Sequence, residues 1–131
     1  MFRHSKAISS FSANNIDEAK QFYSQVLEME VVENEMGLLE LRIENGSVIL
    51  IYPSDNHVPA TFTVLNFPVD DIDKAVEMLK ERNIKLEHYD LPGLQTDGKG
   101  ISRGNPSVAW FKDPAGNILS VIQEGSDKAE V

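Results

Sequence analysis

Apolar residues recur along the chain with two different periods. Ile16, Ala19, Phe22, Tyr23, Val26 and Leu27 are spaced by threes and fours, one face of an α-helix, and predict a helix over Ile16–Leu27. Asn15 stands ahead of it as an N-cap, and Glu18 three residues later completes a capping box. Ile72, Ala75, Val76 and Leu79 behind the N-cap residue Asp71 predict a second helix over Ile72–Arg82. Elsewhere short runs are rich in β-branched, aliphatic and aromatic residues, or alternate apolar with polar. Strands are expected at Ala7–Ala13, Glu30–Glu33, Gly37–Ile43, Val48–Tyr52, Thr61–Val69, Ile84–Tyr89, Val108–Lys112 and Asn117–Gln123. Asn45-Gly46 and Asp113–Gly116 mark tight turns, and Pro53–Pro59 has the composition of a linker. Leu91–Pro106 is a long polar loop with four glycines, and Gly125–Val131 has the composition of a frayed tail.

The order of elements is β-α-β-β-β, twice. Asn15-Ile16-Asp17-Glu18-Ala19 matches Asp71-Ile72-Asp73-Lys74-Ala75 at a distance of 56 residues, and the last hairpins match at Gly46 and Gly116, 70 residues apart. The extra 14 residues of the second copy fall between its helix and its last hairpin, where the Leu91–Pro106 loop can hold them. One helix per repeat covers one face of each sheet, so two like modules are expected, about Met1–Ser54 and Thr61–Gln123, within a single domain. Their uncovered faces would line a shared concave groove.

Composition narrows the function. A chain of 131 residues can bury roughly 68% of its unfolded surface and needs no staple to hold a core. Without cysteine it has no disulfide, thiolate metal site or thiol nucleophile. The net charge of −9 argues against nucleic acid or any polyanion as a partner. No apolar run approaches the ~18–20 residues of a membrane span, and the N-terminus does not read as a signal peptide. A cytoplasmic protein with no membrane association is expected.

Three strings then point to a family. Asn15-Ile16-Asp17-Glu18-Ala19-Lys20-Gln21-Phe22-Tyr23, Val69-Asp70-Asp71-Ile72-Asp73-Lys74-Ala75 and Phe111-Lys112-Asp113-Pro114-Ala115-Gly116-Asn117 resemble motifs of the glyoxalase/bleomycin resistance/dioxygenase group, the vicinal oxygen chelate superfamily, in the right order over nearly the whole chain. The resemblance implies an α+β fold of two βαβββ modules, whose mixed sheets form incomplete barrels around the shared groove. It also implies a homodimer. It leaves function open, because this scaffold hosts isomerases, dioxygenases, thiol transferases and drug-sequestering proteins. The metal ligands of its metalloenzymes map onto Ile8, Leu50, Val64 and Ser120. Three of these carry no donor atom, and one-residue shifts of the alignment do not recover a set, so no metal or other cofactor is expected.

Residues two apart on a strand share a face. If Ile8 and Val64 face the groove, so do Ser10, Ser12, Phe62 and Asn66, and on the last strands Val48, Leu50, Tyr52, Ile118, Ser120 and Ile122. This mostly apolar lining with a few hydroxyls and one amide suits a small organic ligand. His57, in the linker, could stand at the groove mouth, and Lys99 and Arg103 in the glycine-rich loop could form a cationic spot for an acidic ligand beneath a lid. The parity of Trp110 is open, and His4 and His88 read as ordinary surface histidines. No Gly-x-Ser-x-Gly elbow is present. The ligand-site expectation is therefore Ser10, Ser12, Leu50, Tyr52, His57, Asn66, Lys99, Arg103 and Ser120, in a protein that binds a small molecule without metal. The alternatives are a metal-independent enzyme such as a lyase or isomerase, a metal-dependent glyoxalase or dioxygenase, and a structural module.

Overall fold

The computed structural model describes residues 1–44 and 46–125. Asn45 of the expected Asn-Gly turn, and the expected tail beyond Gly125, lie outside the described residues. The chain divides into two compact units, Met1–Pro59 and Ala60–Val131.

The first unit contains β1 (Ser9–Ala13), α1 (Ile16–Gln21), a π-helical turn (Phe22–Val26), β2 (Glu30–Glu33), β3 (Leu39–Arg42) and β4 (Val48–Pro53). Its sheet runs in the order β1-β4-β3-β2, with β1 parallel to β4 and the other pairs antiparallel. Asn15 caps α1 as expected, its side chain accepting from the Glu18 backbone at 3.0 Å. The expected single helix over Ile16–Leu27 is in fact α-helical only to Gln21. It then widens, with Leu27 N donating to Phe22 O. The first two residues of the wider turn, Phe22 and Tyr23, carry rings that stand edge to face with centroids 5.2 Å apart. Tyr23 is fully buried against Phe11 and, with Ala13, Ala19, Leu39, Leu41 and Ile51, makes the core of this unit.

The second unit contains β5 (Thr63–Pro68), α2 (Ile72–Glu81), β6 (Asp90–Leu91), β7 (Leu94–Gln95), β8 (Ile101–Ser102), β9 (Ser107–Lys112) and β10 (Ile118–Gln123). The sheet order β5-β10-β9-β8, with β5 parallel to β10, repeats that of the first unit, and β6 and β7 form a separate small hairpin. The fold is therefore α+β, two βαβββ modules each with a mixed four-stranded sheet. Asp71 caps α2 by accepting from Lys74 N at 3.2 Å. Ile72, Val76 and Leu79 of α2 are buried, as are Leu119 and Val121 of β10 and Ala109 and Phe111 of β9. No helix among the described residues is long and apolar enough to cross a membrane.

The strand expected at Ile84–Tyr89 does not form. Leu86 makes one isolated bridge to Phe111, and the edge of the sheet is completed by β8 instead, where Ile101 pairs with Ala109. The backbone leaves β9 after Glu87 N donates to Trp110 O, and it closes on itself where Tyr89 and Thr96 bond. Asp97 then organises the return, its side chain accepting from the backbone N–H groups of Lys99 and Ile101. The two arms meet at Gly100, a buried residue with φ +89° whose added Cβ would stand 2.9 Å from Leu86 Cβ. The extra residues of the second module thus interrupt its edge strand rather than lengthen a loop beyond it.

Candidate functional site

In the first unit, pairing register sorts the side chains. Phe11, Ile51 and Leu39 form one cross-strand row and are buried beneath the helix; Ser10, Leu50 and Glu40 form the next row, on the opposite face. Ser12 and Tyr52 are partners on that same open face. Ser10 and Tyr52 are exposed and Leu50, Ser12 and Glu40 half-buried, so the face combines apolar surface with reachable hydroxyls.

Ser12 and His57 meet on this face. The Ser12 Oγ to His57 Nδ1 distance is 2.6 Å across 45 residues of sequence, and both side chains are half-buried. The contact is built from the backbone. Ser54 N donates to Ala13 O at 3.0 Å, and His57 N donates to Ser54 O at 3.2 Å, tying the turn that carries His57 to the end of β1 beside Ser12.

The second unit has the same strand order and a different outcome. Asn66, Ser120 and Trp110 form one cross-strand row, which fixes the face of Trp110 as that of Ser120. Ser120 is fully buried and donates to Asn66 Oδ1 at 2.6 Å, while Asn66 itself is exposed. Trp110 Nε1 donates to Thr63 Oγ1 at 3.1 Å, and its ring stands edge to face with Tyr89 at 5.5 Å. The register shifts between Ile118 and Leu119, so Val64 is the extra residue of a bulge.

Lys99 and Arg103, expected to form a cationic spot for a ligand, are engaged by carboxylates. Arg103 holds Asp73 with two bonds of 2.8 Å and donates to Asp97 at 3.0 Å, and Lys99 donates to Asp73 at 3.1 Å. Asp73 belongs to the first turn of α2, so this network clips the interrupting segment onto the helix. The hydrogen bonds from Arg103, against the opposing effect of burial and with help from Lys99, hold the Asp73 carboxyl well below the usual carboxylate range. Burial would raise the Asp97 carboxyl, but the Ile101 and Lys99 backbone N–H groups and the Arg103 side chain outweigh it and lower it. His4 and His88 are exposed.

The positions where the resemblance puts metal ligands do not fit a metal. Ile8 lies exposed just before β1, Leu50 and Val64 are aliphatic, and the one oxygen donor, Ser120, is buried and bonded to Asn66. Among the described residues, no cluster of three His, Cys, Asp or Glu side chains is placed to hold an ion.

Two repeated βαβββ modules define the architectural class. The model of the Glyoxalase/Bleomycin resistance protein/Dioxygenase superfamily matches residues 9–121, and the chain belongs to that family. A putative glyoxalase family protein from Bacillus anthracis is similar in structure, with a TM-score of 0.68 at 21% identity, over 95% of this chain and 100% of the other. Lactoylglutathione lyase from Agrobacterium tumefaciens is similar at TM-score 0.64 and 21% identity, over 88% and 90% of the two chains. A glyoxalase/dioxygenase from Nostoc punctiforme is similar at TM-score 0.67 and 14% identity, over 95% and 93%. At these identities the likeness is one of fold. No curated protein sequence matches the chain.

Glu40 and Arg42 belong to the open face of the first sheet and were not among the expected site residues. Arg42 donates to Glu40 at 3.3 Å, and Glu40 stands cross-strand from Leu50. Their signal was the polar half of the alternation in Leu39-Glu40-Leu41-Arg42, whose apolar half marks the core.

Proposed function

We propose that this protein binds a small organic molecule on the open face of its first sheet, and that it does so without a metal ion. The observation that carries the reading is the cluster of Ser12, His57 and Tyr52 beside Ser10 and Leu50. Hydroxyl and phenol groups on the paired strands, and the imidazole on the turn after β4, stand there at least partly exposed, next to apolar surface. Such a mixture suits a ligand that is partly apolar and exchanges one or two hydrogen bonds. Lys99 and Arg103 are left out of this reading because their charge is already engaged by Asp73 and Asp97. The aliphatic side chains at Leu50 and Val64 support a metal-free mode.

Native mass spectrometry of the purified chain, followed by calorimetry with any retained molecule and a panel of small organic compounds, tests the reading. Tyr52→Phe removes one hydroxyl and is expected to weaken a true ligand by about 0.5–1.5 kcal/mol. Chelator treatment is expected to leave affinity unchanged. A ligand whose affinity is indifferent to both Tyr52→Phe and Ser12→Ala, or is abolished by the chelator, would contradict the reading.

A further inference from the structure

We infer that Ser12 is an acyl-accepting nucleophile served by His57 as its base, acting on small activated acyl compounds, namely esters or thioesters. The inference rests on the reading of the first sheet's open face as the ligand site and gives that site a substrate class.

A serine hydroxyl is a weak nucleophile until a base within hydrogen-bond reach can take its proton. Here the Oγ–Nδ1 distance of 2.6 Å supplies that reach. In the tautomer that carries its proton on Nε2, His57 accepts from the Ser12 hydroxyl through Nδ1. Backbone hydrogen bonds hold both residues. Ser12 is fixed within β1 by pairing with β4, and the turn bearing His57 is bonded back to Ala13, the next residue on β1. Tyr52, the cross-strand partner of Ser12, is exposed and has a phenolic hydroxyl to offer the acyl carbonyl oxygen. The absence of a nucleophile elbow argues against one fold's way of presenting a serine, not against the pair itself, since such pairs are recognised by geometry across unrelated folds.

The chemistry balances with water as the second substrate. Ser12 Oγ bonds to the acyl carbon while its proton passes to His57. The bond from that carbon to the leaving oxygen or sulfur breaks, and the leaving group takes the proton from the imidazolium. Water then attacks the acyl-Ser12 ester and gives one proton to His57, which returns it to Ser12 Oγ. The products are the free acid and the alcohol or thiol.

The test uses the intact chain and an alkyl fluorophosphonate, in which the serine oxygen displaces fluoride from phosphorus. Expected is one adduct per chain, mapped by peptide mass spectrometry to the segment containing Ser12, absent in Ser12→Ala, and formed more slowly in D2O. His57→Gln keeps a polar side chain but cannot act as the base, and is expected to slow labelling ~100-fold or more. Adduct mapping on the wild-type chain needs no variant to fold. No adduct, an adduct on another residue, or labelling of Ser12 at an undiminished rate in a folded His57→Gln protein would overturn the inference. Ligand binding that persists in calorimetry beside a negative labelling result would overturn the nucleophile and leave the binding reading standing.

Discussion

The two units share strand order, helix placement and capping, yet they use their open faces differently. In the first, Ser12 and Tyr52 stand opposite one another within reach of solvent, and the chain that follows β4 returns to place His57 on Ser12. In the second, the counterpart of that row is Pro68 and Ile122, which carry no polar side-chain group, and the neighbouring polar row is bonded within the unit. Ser120 is buried and bonded to Asn66, and Trp110 is tied to Thr63 and covered edge-on by Tyr89. Two scaffolds alike in strand order thus carry different side chains on the corresponding face. The edges differ in the same sense. β2 is continuous, whereas its counterpart is broken between Leu86 and β8 by the segment that Asp73 and Asp97 hold in place.

The largest effects are expected where the units are alike. Tyr23→Ala in the first core and Phe111→Ala in the second each remove a ring from a fully packed site, and each should cost ~3–5 kcal/mol by chemical denaturation. A much smaller cost for one would show that its unit is loosely packed and break the equivalence. The glycines separate the units next. Gly46 has φ +93° and open space around it, so Gly46→Ala should cost only the backbone penalty of about 1 kcal/mol. Gly100→Ala adds a clash with Leu86 Cβ, a part of the side chain that cannot swing away, and should cost clearly more, about 2 kcal/mol or above. Equal effects would mean that the two arms of the interrupted edge are free to separate.

The smallest effect belongs to the clip on α2. Asp73→Asn should cost about 1 kcal/mol or less, since these side chains are partly exposed and solvent screens them, and the loss should shrink in high salt. The sign with pH follows from the lowered carboxyl. Its contribution is complete above the ordinary carboxylate range near pH 4, and it drains away as pH falls from there toward the depressed folded value. Thermal unfolding of wild type and Asp73→Asn should therefore converge in acid; a gap that widens there would contradict the pairing.

Much of the fold was legible in the sequence because it rests on local signals. Asn15 and Asp71 cap the helices they were expected to cap, and the face assignment of Leu39, Leu41, Phe11 and Ala13 follows from strict alternation. Ile84–Tyr89 misled because apolar residues at Ile84 and Leu86 satisfy the strand pattern, while the hydrogen bonds that would make a strand go to Thr96 instead. The Ser12–His57 contact was not legible. Both residues were candidates, but their meeting depends on a turn whose backbone bonds to Ala13, and nothing in composition or spacing encodes that return. The engagement of Lys99 and Arg103 was hidden for the same reason, since Asp73 is 26 and 30 residues away. The polar half of β3 was equally legible, since Glu40 and Arg42 alternate with the buried Leu39 and Leu41.

The most direct test of the central claim, that the first sheet's open face is the binding surface, is an amide-resolved NMR titration of the labelled chain. The probes are a panel of small esters, carboxylic acids and aromatic fragments. The account predicts that compounds that bind shift the amides of Ser10, Ser12, Leu50, Tyr52 and His57. Shifts confined to α2 and the segment around Asp97 and Arg103, with β1 and β4 silent, would contradict it.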